Sequence, residues 1–287
     1  EKIIIVLLLC FLPIASFAQK VGETLPAWEE GYMDIHHINT GCGECAYIIL
    51  PDGTTMLIDA GENKAGNPRH VSPKPNASRT PGEWIVDYIK TMAPVQKQKL
   101  DYALITHFHS DHMGGVLKMK NESGRYYNTG IITVAENLQI GMLVDRGFPD
   151  YNFLVNTEDK MIKNYFNFLH FTKRKMNVEQ FVPGVDNQFR LLYDSTRYAG
   201  RFKIQNIYAN GWLWTGKEHE KRYLFPDFDT LEKYDIPQEN TLSCAIKIVY
   251  GNFSYYTGGD VTGYPKPGRG TFHDVETWMA PVVGHTE

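Results

Sequence analysis

Three absences narrow this chain before any motif is read. No apolar run is long enough to cross a bilayer comfortably: the one at the start covers residues 3–12, against the roughly 20 residues that a spanning helix needs. No basic run exceeds three residues (Lys173-Arg174-Lys175) and the net charge is −4. That excludes a surface built throughout to hold nucleic acid, though not a local basic groove. Cysteine is scarce, four in 287 residues, and Cys42-Gly43-Glu44-Cys45 has no second pair to complete a four-cysteine zinc site. Internal repeats are absent too.

What is present reads as an ordinary globular chain, 43% hydrophobic and 22% charged, long enough for one large domain or two small ones. The start is different. Glu1-Lys2, the apolar run and then Ala15-Ser16-Phe17-Ala18 before Gln19 fit a cleaved secretory signal over residues 1–18. A buried strand is the alternative. The signal predicts export, to the periplasm or beyond the cell, and no membrane span once it is removed. The absence of an opening methionine reads as a slightly clipped start. Leu9 before Cys10 argues against a lipid anchor. With Cys10 gone, Cys42, Cys45 and Cys244 remain, an odd number that leaves at least one free thiol in an exported chain.

The chemistry concentrates in Thr106-His107-Phe108-His109-Ser110-Asp111-His112, followed by Met113-Gly114-Gly115. An apolar run at residues 102–105 leads straight into it. His107 and His109, two apart at the extended end of a strand, can project the same way. Asp111 and His112 come where the chain turns into a helix and can face a second centre. Neutral imidazoles and a carboxylate are ligands that zinc and similar divalent ions accept. The spacing differs from the i, i+4 histidines of helical metalloprotease motifs.

The rest alternates strands and helices. Residues 47–50 and 56–58 predict a hairpin through Pro51-Asp52-Gly53-Thr54, ending in Ile58-Asp59-Ala60-Gly61. An Asp closing a buried strand needs a partner. Residues 62–82, with Arg69, His70, Lys74 and Arg79, read as an exposed loop. Thr80-Pro81-Gly82-Glu83 opens a helix over 84–92, with Ile85, Tyr88 and Ile89 as its packing face. Further strands are expected at 102–106, 131–134, 202–208, 244–250 and 253–257, and a helix at 159–171. Residues 116–200 read as an insertion beside the site. The last hairpin turns at Gly251-Asn252 and ends in Gly258-Gly259-Asp260.

His-x-His-x-Asp-His after an apolar strand, with Gly-Gly beyond, resembles the metal motif of the metallo-β-lactamase superfamily. The segment from Asn39-Thr40-Gly41-Cys42-Gly43-Glu44 to Gly61, and the Asn-x-x-Ser of Asn240-Thr241-Leu242-Ser243, resemble the subgroup related to the hydrolase domain of DNA-uptake competence proteins. The resemblance implies an α/β fold, a four-layer αββα sandwich over residues 19–287 with a one- or two-metal site at one edge. It also implies that Asp59 supports a metal ligand and that Asp260 bridges two ions. The implied ligand set is His107, His109, Asp111, His112 and Asp260, holding two zinc ions, with manganese as an alternative.

The same resemblance implies a secreted hydrolase using a metal-bound hydroxide, with Asp111 orienting that hydroxide or accepting its proton. The subgroup suggests a phosphodiester or another phosphate ester as substrate. Lactone, β-lactam, amide or other ester hydrolysis is the alternative within the class. A small-molecule or phosphodiester substrate is expected, and no stable nucleic-acid complex. The chain departs from the family in two places. Where many members carry a histidine after the strand at 202–208, this one reads Ala209-Asn210-Gly211, leaving Asn210 as a neutral oxygen ligand at best. The closing histidine is either His285, or it lies past Glu287 in a truncated chain whose residues 275–283 form a helix. These departures motivate a second reading, a binding protein of the same fold without turnover.

Overall fold

The computed structural model describes residues 22–62, 70–72, 74–94, 99–263 and 268–284. The segment read as a signal, the loop residue Arg69 and His285 lie outside the described residues.

The first sheet has six strands: β1 (Asp34–His37), β2 (Ala46–Ile49), β3 (Thr55–Ile58), β4 (Lys99–Leu104), β7 (Gln139–Asp145) and β8 (Asn177–Gln180), adjacent in that order. β1, β2 and β3 pair antiparallel, and β3, β4, β7 and β8 run parallel. β5 (Met119–Lys120) and β6 (Tyr127–Asn128) form a small separate ribbon. The second sheet is antiparallel and orders β11 (Lys221–Tyr223), β10 (Trp212–Trp214), β9 (Phe202–Ala209), β12 (Ala245–Tyr250) and β13 (Phe253–Thr257). The stretch 116–200, expected to be an insertion, supplies β7 and β8 and is therefore partly integral to the first sheet.

Alternation along the strands sorts the core into layers. Ala46, Ile48, Met56, Ile58 and Leu104 of the first sheet pack against Ile204, Ile246 and Ile248 of the second. From the opposite face of the first sheet, Tyr47, Ile49 and Leu57 meet the helices α1 (Pro81–Met92), α3 (Gly130–Asn137) and α4 (Lys160–Phe171). The short helix α2 (Ser110–Met113) carries the end of the histidine motif. The outer face of the second sheet is covered by α5 (Val275–Val283), through Val275, Met279 and Val282. Helix, sheet, sheet, helix: the four-layer αββα sandwich stands. Strands covered on both faces become near-continuous apolar runs, which is how β2 and β3 read in the sequence. No helix among the described residues is long and apolar enough to cross a membrane.

Local chemistry explains most element boundaries. Thr80 and Glu83 form a reciprocal capping box at the start of α1: Thr80 N–H donates to Glu83 Oε2 (2.8 Å) and Glu83 N–H to Thr80 Oγ1 (3.3 Å). Asp159, expected as the first residue of α4, is instead its cap, accepting from Met161 N–H at 2.7 Å. The strand expected at 131–134 is wrong. These residues lie in α3, where Ile131, Ile132, Thr133, Val134 and Ala135 are all buried. A short apolar run covered on every side carries no period that separates strand from helix. The deciding contact is remote, since the Glu62 carboxylate accepts from Gly130 N–H (2.6 Å) and Thr129 Oγ1 (3.2 Å) at the helix start. Residues 275–283 are helical, the second of the two expectations for that segment.

Candidate metal centre

Three segments that extend from parallel strands meet at one edge of the sandwich: Asp59 after β3, residues 105–112 after β4 and Arg146 after β7. The end of β9, the turn before β12 and the end of β13 come to the same edge. This is where parallel strands of open α/β sheets place ligands.

Asp59 is fully buried, with φ +59°. Its Oδ1 accepts from Thr106 N–H (2.8 Å), and its Oδ2 from Thr106 Oγ1 (2.7 Å) and from His112 Nδ1 (2.8 Å). A carboxylate that only accepts fixes the His112 tautomer with the proton on Nδ1. The lone pair is then on Nε2, 3.1 Å from Asp260 Oδ1. The His107 ring lies 4.0 Å from the His112 ring, centroid to centroid, and His107 Nε2 is 3.1 Å from His109 Nδ1. One ligand atom each from His107, His112 and Asp260 falls within 4.8 Å of the others.

Asp260 is aimed by the turn before β12. Asn240 Nδ2 donates to Asp260 Oδ2 (3.3 Å), Asp260 N–H donates to Ser243 Oγ (3.3 Å), and Ser243 Oγ in turn donates to the Asn240 carbonyl (2.8 Å). The Asn-x-x-Ser singled out in the sequence thus orients a carboxylate at the site. The two sheets are tied here as well, since Cys244 N–H donates to the Thr106 carbonyl (2.8 Å).

The sequence-predicted residues divide. His107, His109, His112 and Asp260 come together. Asp111 shares their loop, yet among the described residues its carboxylate makes no hydrogen bond to them. Its backbone is what the fold grips: the Asp111 carbonyl accepts from Glu44 N–H (2.9 Å) and is wedged between two glycines. A Cβ at Gly43 would lie 2.0 Å from that oxygen, and one at Gly61 2.1 Å. Gly43 also has φ +112°, so glycine is required at position 43 by close approach and by conformation together.

Electrostatics separate the two inner histidines. Burial, reinforced by the charges of His112 and His109, carries His107 down to about 2, which leaves it neutral. Burial also works against charge on His112, but hydrogen bonds to Asp260 and Asp59 outweigh it and raise His112 to about 10. The His112 hydrogen bond holds the Asp260 carboxyl below its ordinary range. A neutral imidazole, a second imidazole whose far nitrogen is held by a carboxylate, and an ionised carboxylate form a donor set suited to zinc. A proton and a cation would compete for the same His112 lone pair.

Asn210 is not turned toward this cluster as a ligand. Its Oδ1 accepts from Arg146 Nη1 (3.2 Å) and its Nδ2 donates to the Arg146 carbonyl (2.7 Å). Arg146 and its partner Glu239 are the residues that sequence reasoning does not single out. The one local sign is an arginine directly after an apolar strand end, Leu143-Val144-Asp145-Arg146, where a buried charge requires a partner.

No curated protein matches this chain. Among solved structures, the chain is similar to the crystal structure of unliganded yeast PDE1, with 12% identity and a TM-score of 0.37 over 84% of this chain and 68% of that one. The family model of the metallo-beta-lactamase superfamily matches residues 39–124, the segment that carries the Gly-x-Gly turn, Asp59 and the whole His-x-His-x-Asp-His loop.

Proposed function

We propose that this protein is a metal-dependent hydrolase of the metallo-β-lactamase type. The observation that carries this reading is His112, held on one side by Asp59 and facing Asp260 and His107 on the other. His107, His112 and Asp260 would hold a divalent ion, zinc by donor chemistry, with His109 beside His107. When bound, such an ion supplies Lewis acidity and lowers the pKa of a coordinated water toward neutrality. Asp59 keeps His112 in the ligating tautomer, and Asn240 with Ser243 aims Asp260. Asp111, with its backbone locked and its carboxylate without a hydrogen bond to the cluster, is suited to orient the attacking water and take its proton.

The finer reading is a phosphodiester or other phosphate ester as substrate, supported by the likeness of the 39–61 segment and of Asn240-x-x-Ser243 to the competence-related subgroup. Export is part of the proposal and rests on the sequence of residues 1–18 alone. Purified protein, stripped with chelator and reloaded with zinc or manganese, is assayed on bis(p-nitrophenyl) phosphate, a β-lactam and a lactone. Metal-restored turnover of the phosphodiester supports the finer reading, and turnover of only the others replaces it. One observation favours a second reading, a binding protein without turnover: Arg146 engages Asn210, so the end of β9 adds no ligand to the cluster. Stoichiometric metal without hydrolysis of any of the three substrates would favour that reading.

A further inference from the structure

Arg146 is a fully buried arginine beside the metal loop. All five of its N–H donors have acceptors. Nε donates to Glu239 Oε1 (2.7 Å), and Nη2 to Glu239 Oε2 (2.5 Å) and the Leu154 carbonyl (3.3 Å). Nη1 donates to the Phe153 carbonyl (3.0 Å) and Asn210 Oδ1 (3.2 Å). The guanidinium also lies over the Phe108 ring, 4.9 Å from its centroid. Glu239 does one thing more: its Oε1 accepts from the backbone N–H of Phe108 at 2.7 Å. Phe108 is the residue between His107 and His109.

We propose that Arg146 and Glu239 form a positioning pair for the metal loop, and that Asn210 belongs to this pair rather than to the ligand set. The inference rests on the metal-hydrolase reading and deepens it. Glu239 fixes the peptide between two imidazoles, and so fixes the direction in which each projects. Arg146 holds Glu239 in a two-point grip, which a lysine cannot reproduce. Asn210 closes the clamp from the end of β9 through both its amide oxygen and its nitrogen. The pair therefore joins the first sheet, the second sheet and the 153–154 loop at one point behind the ligands. An ion pair with little solvent access adds little net stability for its desolvation cost, whereas a fixed loop geometry is something such a pair supplies well.

The test uses the full chain, loaded with cobalt(II) for its visible spectrum and with zinc in competition against a chromophoric chelator. Glu239→Ala is expected to weaken zinc affinity about 10- to 100-fold, the range typical of lost support behind a ligand, and to alter the cobalt spectrum. Glu239→Gln keeps an acceptor for Phe108 N–H but turns an amide NH2 toward the guanidinium. It is expected to recover part of the affinity, with a spectrum between the two. Wild-type affinity and spectrum in Glu239→Ala, with only a lower melting temperature, would overturn the inference while leaving the function reading intact. If Glu239→Ala does not fold, Glu239→Gln decides alone: a wild-type spectrum and affinity overturn the proposal, and a shifted spectrum with weaker binding sustains it. A wild-type chain that takes up neither ion overturns the function reading, and this inference with it.

Discussion

Asp59 and His112 are joined by a 2.8 Å hydrogen bond, from Nδ1 to Oδ2, and both side chains are almost wholly buried. The other Asp59 oxygen is committed to Thr106 N–H, which makes Asp59→Asn an informative change. The amide oxygen must stay on Thr106 N–H, so the amide NH2 points at His112 and moves the ring proton to Nε2. The lone pair needed for an ion is then closed. Zinc affinity is expected to fall about 10- to 100-fold, measured by chelator competition. Unchanged affinity would mean that His112 ligates nothing.

The histidine pair makes stability of the metal-free protein depend on pH from both sides. His112 is raised from 6.5 to about 10 on folding, so the folded chain holds the extra proton in that window. Its stabilisation is complete below about pH 6.5 and is lost as pH climbs through about 10. His107 is lowered from 6.5 to about 2, so the unfolded chain holds the extra proton there. That contribution is complete above about pH 6.5 and is lost as pH falls toward 2. Melting temperatures of stripped protein should therefore peak near neutrality, and His112→Gln should flatten the alkaline limb. The same proton competes with metal, so zinc affinity should rise about tenfold per pH unit between roughly pH 7 and 9.

Asp111 is separable from the ligand cluster. Asp111→Asn is expected to retain at least one zinc per chain by elemental analysis and to lower turnover of any hydrolysed substrate by about 100-fold or more, the typical contribution of a positioned base. Loss of all bound metal would instead place its carboxylate among the ligands.

Gly61→Ala probes the grip on the loop backbone. The added methyl would meet the Asp111 carbonyl oxygen at 2.1 Å, well inside contact distance, so the metal loop must move. Metal affinity should drop about tenfold or more, a shift of the size seen when support behind a ligand is lost. Circular dichroism should remain that of a folded sandwich. An unaffected site would show that the loop tolerates displacement.

The candidate ligands are legible because they are local. Residues 106–112 announce themselves within seven positions, and Asp59 and Asp260 each close a strand at a glycine. The hairpins, α1 and its capping box are readable for the same reason: Thr80 and Glu83 are three residues apart. Whatever depends on remote partners is not. Residues 131–134 form a helix whose first N–H is held by Glu62, 68 positions away. Glu239 reaches Arg146 across 93 positions and Phe108 across 131, and no window of sequence contains such a pair. Asn210 reads as a weak ligand because its place in the chain is right, while its amide is claimed by a side chain that the sequence does not put beside it.

The sandwich also acts as a caliper. One jaw, the first sheet, carries the histidines; the other, the second sheet, carries Asp260, and the gap between jaws is set by Ile48, Ile58, Ile246 and their neighbours. Interior volume is thereby converted into the distance between the histidines and Asp260. A methylene added or removed in that core, far from the loop and touching neither group, would shift the histidines relative to Asp260.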